Sequence, residues 1–187
     1  MNWSYCYVTD FSPQDYERAY AALSVSRKAH IDRFRKQADK ERSLAAELLL
    51  EKMLPDAKLH RKENGQPYLT GCDLHVSIAH SDELVVCAIS ENPVGIDAEK
   101  MRPIDLATAK HVCTEEELHY LTNGEPLPQR GSLCADPAML LRFYEIWTAK
   151  EAYFKNLGTG ITNLKAINIL PLERQLYTLE EYLVQII

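Results

Sequence analysis

The sequence predicts an α+β fold, and three observations carry that expectation. Segments of strand and helix character follow the order strand, helices, hairpin, then strand, helices, strands. The stretch Phe143 to Gly158 has no Pro and no interior Gly. It repeats Phe143, Trp147 and Phe154 at helical spacing, so a long helix with one buried face is expected. At 187 residues, 46% apolar and 26% charged, the chain can bury a sizeable core, as one domain or as two small fused halves.

The elements can be justified in chain order. Trp3 to Val8 is rich in aromatic and β-branched residues and reads as a strand. Ser12 followed by Pro13, with Asp15 in the first turn, opens a helix that runs to about Leu23. A second helix is expected from about Ser26 to Phe34. A third runs from Asp39 to Leu54, with Leu44, Leu48 and Leu49 apolar and Arg42 one turn from Asp39. Asn64-Gly65-Gln66-Pro67 is a turn signal. Leu74 to Ala79 alternates as a strand, His80-Ser81-Asp82 reads as a turn, and Leu84 to Ile89 has the continuous apolar run of a buried strand.

Asn92-Pro93 ends that run, and Val94 to Glu99 begins another short strand. Two short helices are expected over Asp105 to Val112 and Thr114 to Leu121, the second opening as a capping box on Thr114. Thr122 to Asp136 reads as a loop, after which the long helix begins near Asp136-Pro137 and stops at Gly158. Strands around Ile161 to Leu170, Gln175 to Leu179 and Tyr182 to Ile187 complete the chain.

Composition narrows the function classes. No run approaches the ~18 apolar residues of a membrane span. The start, Met-Asn-Trp-Ser-Tyr-Cys-Tyr-Val, lacks the basic flank and long apolar segment of a signal peptide. The five cysteines (Cys6, Cys72, Cys87, Cys113 and Cys134) are scattered, which argues against a disulfide framework or a zinc site and fits a reducing cytoplasm. A net charge of −6 argues against general nucleic-acid binding, although it leaves room for a compact anion held by a local basic cluster.

Three groups of residues carry possible chemistry. Asp97 and Glu99 stand two apart in a predicted strand and so share a face. Two adjacent carboxylates resist ionising together unless a cation offsets them, so the pair suits a hard divalent ion; a polar strand edge beside Lys100 and Arg102 is the plainer alternative. Glu151 and Lys155, four apart on the long helix, suit either a simple ion pair or a metal-and-phosphate site. The basic segment with Arg27, Lys28, His30, Arg33, Arg35 and Lys36 reads by itself as a solvated helix face. His80, at a strand-to-turn junction, stands where a side chain can meet a ligand, whereas His75 reads as structural or exposed.

The segments Val94-Gly95-Ile96-Asp97-Ala98-Glu99-Lys100 and Trp147-Thr148-Ala149-Lys150-Glu151-Ala152-Tyr153-Phe154-Lys155 occur in that order, about fifty residues apart. Together they resemble the two-part signature of the 4′-phosphopantetheinyl transferases, most closely the surfactin-synthetase-activating type, whose single chains consist of two similar halves. The likeness extends to Arg33-Phe34, Asp39, Arg42 and Leu44, to the Gly65-Gln66-Pro67 turn and to Ile78-Ala79-His80-Ser81, covering most of residues 24–160.

The resemblance implies two α+β halves, residues 1–100 and 101–187, with the active site in the cleft between them and the second half shortened at its C-terminus. It implies transfer of the phosphopantetheine arm of coenzyme A to a serine of an apo acyl or peptidyl carrier protein, with release of 3′,5′-ADP. Mg²⁺ is the implied cofactor, with no nucleic-acid or membrane partner. Asp97, Glu99 and Glu151 would hold Mg²⁺; Glu151, or a metal-bound water beside it, would take the serine proton. Lys155 would sit on the leaving phosphate with Lys150 close to the same phosphates. Arg27, His30, Arg42, Gln66 and His80 would face the nucleotide end of coenzyme A, and Glu116 matches an acidic position near the metal.

Three departures stand out. Gln66 replaces a Lys common in the family's turn, Ala79 replaces a Ser, and the chain ends at Ile187, a strand early. They raise the alternative of a coenzyme A-binding regulatory relative that no longer transfers. The carboxylates alone would also permit a Mg²⁺-dependent phosphohydrolase, against which the Trp147-to-Lys155 match argues.

Overall fold

The computed structural model describes residues 1–127 and 136–187. The chain divides into two compact units, Met1–Val94 and Gly95–Ile187. The expected boundary after residue 100 instead falls before the strand that carries Asp97 and Glu99, so both carboxylates belong to the second unit.

The first unit contains β1 (Asn2–Tyr7), α1 (Pro13–Ala22), α2 (Val25–Asp32), α3 (Gln37–Met53), β2 (Lys58–Arg61), β3 (Pro67–Thr70), β4 (His75–Ser81) and β5 (Leu84–Ser90). Ser12 caps α1: its hydroxyl accepts from Asp15 N while the Asp15 carboxylate accepts from Ser12 N at 3.0 Å. The strands form an antiparallel sheet in the order β1-β5-β4 and a separate hairpin, β2-β3. Along α3, Ala45, Ala46, Leu49 and Leu50 pack with Cys6, Val85, Cys87 and Ile89 from the sheet in one buried cluster. Each large aliphatic side chain so buried contributes about 2 kcal/mol.

The second unit contains β6 (Ile96–Lys100), α4 (Leu106–Val112), α5 (Glu115–Leu121), α6 (Pro137–Leu157), β7 (Gln175–Leu179) and β8 (Tyr182–Ile186). Its sheet is antiparallel in the order β6-β8-β7. Each unit is therefore a three-stranded antiparallel sheet packed against one long helix, as an α+β fold of two similar halves requires. The Asp136 carboxylate caps α6 by accepting from Ala138 N at 2.9 Å and Met139 N at 3.3 Å. Gly158 ends the helix at φ +69°, a left-handed position that favours glycine. Phe143, Ile146 and Ala149 turn inward to meet Leu183 of β8, and Trp147 is half-buried beside them.

Three local expectations are corrected. The hairpin strands β2 and β3 flank the Asn64–Pro67 turn but were legible only as that turn, because each is four residues long. His80 and Ser81 lie within β4, where they pair with Val85 and Leu84, and the tight turn is set by Asp82 at φ +53°. Residues 161–170 form no strand; they hold a short 3₁₀ turn at Leu164–Ala166. Within the loop expected over Thr122 to Asp136, residues 128–135, and Cys134 with them, lie outside the described residues. The other four cysteines are free, and burial raises the thiols of Cys6, Cys87 and Cys113 to about 12, so these are packing residues. Among the described residues no helix is long and apolar enough to cross a membrane.

Candidate active site

The site in the second unit starts with a glycine. A Cβ on Gly95 would lie 1.8 Å from the Ala152 carbonyl oxygen and 2.7 Å from Asn156 N, so only glycine lets the α6 backbone come this close to the chain entering β6. Alternation along the strand then turns Asp97 and Glu99 to the same side as Gly95, toward α6. Glu151, immediately before Ala152, and Lys155, about one turn after it, supply the facing groups.

Ligand oxygens of Asp97, Glu99 and Glu151 all lie within 4.8 Å of one another. Lys155 Nζ donates to Asp97 Oδ1 at 2.6 Å, so the helix lysine meets Asp97 and not Glu151. Asp97 is only 2% exposed, and its second oxygen, Oδ2, is buried without a hydrogen-bond partner. Burial raises the Asp97 pKa despite the opposing pull of Lys155. Glu151 is raised to about 7, first by burial and then by the charges of Asp97 and Glu99, with Lys155 again opposing. Three carboxylates cluster, Lys155 closes on one of them, and one Asp97 oxygen is orphaned. A small, hard cation with oxygen coordination fits that donor set and would supply the missing charge.

Lys150 is not placed where the resemblance puts it. It is fully buried, at 0% exposure, and its ammonium meets Glu117 Oε2 at 2.6 Å and the carbonyls of Val112, Leu164 and Ile167 at 2.7–2.9 Å. Position 150 falls on the same helical stripe as Phe143, Trp147 and Phe154, so it points inward. The inward lysine needs a buried anion, and Glu117 supplies it. The Glu117 carboxylate also accepts from Thr114 N at 2.7 Å and Ile169 N at 2.9 Å, tying α5 to the chain after α6. Glu116, its neighbour, is exposed, accepts from Asn168 Nδ2 at 2.7 Å and is outside the carboxylate cluster.

In the first unit, Arg27 and His30 line a cavity of about 440 Å³ together with Arg33, His60, Arg61 and Tyr68. Arg27 is 5% exposed; Nε donates to Glu47 at 2.5 Å and Nη2 to Ser43 at 2.9 Å, which leaves Nη1 buried and unpartnered. Arg61 donates to the Gly65 carbonyl at 2.9 Å, and its Nε is also buried without a partner. Burial, then the guanidiniums of Arg27, Arg61 and Arg33, lower the His30 pKa. Sequence reading missed Arg61; the signal was its place four residues before the Gly65 turn, which folds it back onto that turn. Lys62 Nζ donates to Gln66 Oε1 at 2.9 Å, placing a cation in the turn that lacks the expected lysine.

Arg42 and His80 do not line this cavity. Arg42 pairs with Asp39 and donates to the Asp82 carbonyl at 3.0 Å, which braces α3 against the β4–β5 turn; His80 is exposed on β4.

Residues 93–185 match the family model of the 4′-phosphopantetheinyl transferase superfamily. The chain is 38% identical over 131 residues to the 4′-phosphopantetheinyl transferase gsp of Aneurinibacillus migulanus, covering 66% of this chain and 51% of the relative. It is 28% identical over 160 residues to the 4′-phosphopantetheinyl transferase Sfp of Bacillus subtilis strain 168, covering 81% and 67%. It is 29% identical to HetI, a 4′-phosphopantetheinyl transferase of a Nostoc strain, covering 80% and 65%. The chain thus spans about half to two thirds of the length of the curated relatives it matches. With the Gly95–Glu99 strand and the Trp147–Lys155 helix both inside the matched region and folded onto one another, the chain belongs to the 4′-phosphopantetheinyl transferase superfamily, Sfp type.

Proposed function

We propose that the protein transfers the 4′-phosphopantetheine group of coenzyme A to a serine of an apo acyl or peptidyl carrier protein and releases 3′,5′-ADP, with Mg²⁺ as cofactor. The carboxylate cluster of Asp97, Glu99 and Glu151, with its orphaned Asp97 oxygen, is the observation that carries this reading. These three residues would hold Mg²⁺, which when bound neutralises charge on the pyrophosphate. The serine Oγ attacks the β-phosphorus and the bond from that phosphorus to the oxygen of the departing 3′,5′-ADP breaks. Glu151 takes the serine proton. Its pKa of about 7 in the metal-free site leaves the carboxyl close to the balance point of a general base at neutral pH, and a cation draws it lower. Lys155 shifts its ammonium from Asp97 to the leaving phosphate and offsets the charge that develops there.

The nucleotide end falls to the first unit. Two unpartnered guanidinium nitrogens, on Arg27 and Arg61, suit a phosphate, and Tyr68 stacked on His60 at 5.2 Å offers a flat surface beside them. The carrier and coenzyme A are the partners, and the cytoplasm is the proposed location.

The test is to incubate the protein with coenzyme A, Mg²⁺ and apo carrier proteins and weigh each carrier by mass spectrometry. A gain of one phosphopantetheine group is expected. No gain across acyl, polyketide and peptidyl carriers, alongside measurable coenzyme A binding, would replace this reading with that of a regulatory binder.

A further inference from the structure

Outside the residues already assigned, one polar side chain among the described residues of the second unit is not explained by its own fold. Gln185 on β8 is 0% exposed, and neither its amide nitrogen nor its amide oxygen has a hydrogen-bond partner. Buried side-chain amides are nearly always bonded, so a residue with both ends open calls for a partner from outside the chain. By contrast, the equally buried Lys150 and Glu117 are bonded on every side.

Its place on the sheet identifies that partner. Gln185 stands directly opposite Asp97 in the β6–β8 ladder. Gly95 and Ile187, two residues along, exchange both backbone hydrogen bonds at 2.9 Å, which makes Asp97 and Gln185 a hydrogen-bonded pair of the same ladder. Opposed residues in an antiparallel pair project to the same face with Cβ atoms about 5 Å apart. The Gln185 amide is therefore on the α6-facing side, next to the Asp97 carboxylate. Two polar groups that are neighbours, both buried and both with an open atom, do not bond to one another. Each is left with an open atom that a third group could fill.

We propose that Gln185 is a positioning residue of the cation site, its Oε1 accepting a hydrogen bond from a water of the hydration shell of the ion held by Asp97. Mg²⁺ gives up its waters reluctantly, so a small carboxylate set needs acceptors behind those waters to fix where the ion sits. The Asp97, Glu99 and Glu151 carboxylates carry the charge, and Gln185 adds a neutral acceptor on the strand side, where the sheet admits no bulk solvent. The inference rests on the proposed cation site and adds to it a residue outside both signature segments.

The test is a Mn²⁺ titration followed by electron paramagnetic resonance, with and without coenzyme A, on wild type, Asp97→Asn, Gln185→Met and Gln185→Glu. Gln185→Met keeps length and volume but removes both polar atoms. Expected are Mn²⁺ binding roughly tenfold weaker than wild type, the scale of a lost outer-sphere partner, and a metal-free melting temperature equal to or above wild type, because an unbonded buried amide has been removed. Gln185→Glu retains an acceptor oxygen and is expected to bind Mn²⁺ at least as tightly as wild type; this variant decides the matter if Gln185→Met does not fold. Wild-type Mn²⁺ affinity in Gln185→Met, or weakened binding in Gln185→Glu, would overturn the role of Gln185 while leaving the cation site standing. Absence of Mn²⁺ binding by wild type, or full binding by Asp97→Asn, would overturn the cation site itself.

Discussion

The first unit gathers cations around a cavity, and the second gathers carboxylates between a strand and a helix. In both, burial leaves charged atoms short of partners: Arg27 Nη1, Arg42 Nε and Arg61 Nε in one, Asp97 Oδ2 in the other. The Lys150–Glu117 pair is as deeply buried as any of these, yet every donor and acceptor is filled. The difference separates charges that hold the fold together from charges that await a ligand. An anion completes the first set and a cation the second.

The largest expected effect lies in the acidic cluster. Glu151→Ala should lower transfer by about a thousandfold or more, the scale of several kcal/mol of lost charge stabilisation, with an unchanged circular dichroism spectrum; transfer at the wild-type rate would remove Glu151 from the chemistry. Lys150→Ala should do the reverse. It strands the Glu117 carboxylate in the core and should cost about 3–5 kcal/mol of stability in denaturant unfolding, whereas Lys155→Ala should slow turnover and cost clearly less stability, because burial already draws its partner Asp97 toward the neutral form. Equal destabilisation by both would erase the distinction drawn between the two lysines.

A smaller effect tests the cationic cavity. Arg61→Met should weaken binding of coenzyme A about tenfold, the value of one charge-assisted hydrogen bond, and should barely change binding of the analogue lacking the 3′-phosphate. Equal losses for both ligands would move the phosphate elsewhere. The smallest is a pH effect. Glu151 binds its proton more tightly in the folded metal-free protein, near 7, than in the unfolded chain, near 4.5. Its contribution to stability is therefore fully present below about 4.5 and is lost as pH rises toward 7. The melting temperature of metal-free wild type should fall across that window relative to Glu151→Gln, and Mg²⁺ should restore more of it at pH 7 than at pH 5. Parallel pH curves for the two proteins would contradict the raised pKa.

Much of this was legible in the sequence because it depends on local rules. The Ser12, Thr114 and Asp136 caps, the Gly158 stop, and the two-residue alternation of Asp97 and Glu99 are each set within a few residues. What stayed hidden depends on contacts between distant segments. Lys150 looks like a site lysine beside Glu151 until its inward position, and Glu117 thirty-three residues earlier, are both in view. Gln185 has no motif at all, and only the β6–β8 register places it against Asp97. The division between the units, expected after residue 100, falls at Gly95 for the same reason: β6 finds its partner in β8, at the far end of the chain.

The acidic cluster can be tested directly by growing crystals with Mn²⁺ and measuring anomalous diffraction at the manganese edge. A single strong peak bounded by Asp97, Glu99 and Glu151, with Asp97 Oδ2 as a ligand, is the expected result. A map with no peak there at saturating Mn²⁺, or with Lys155 still closing on Asp97 and the ion bound elsewhere, would contradict it.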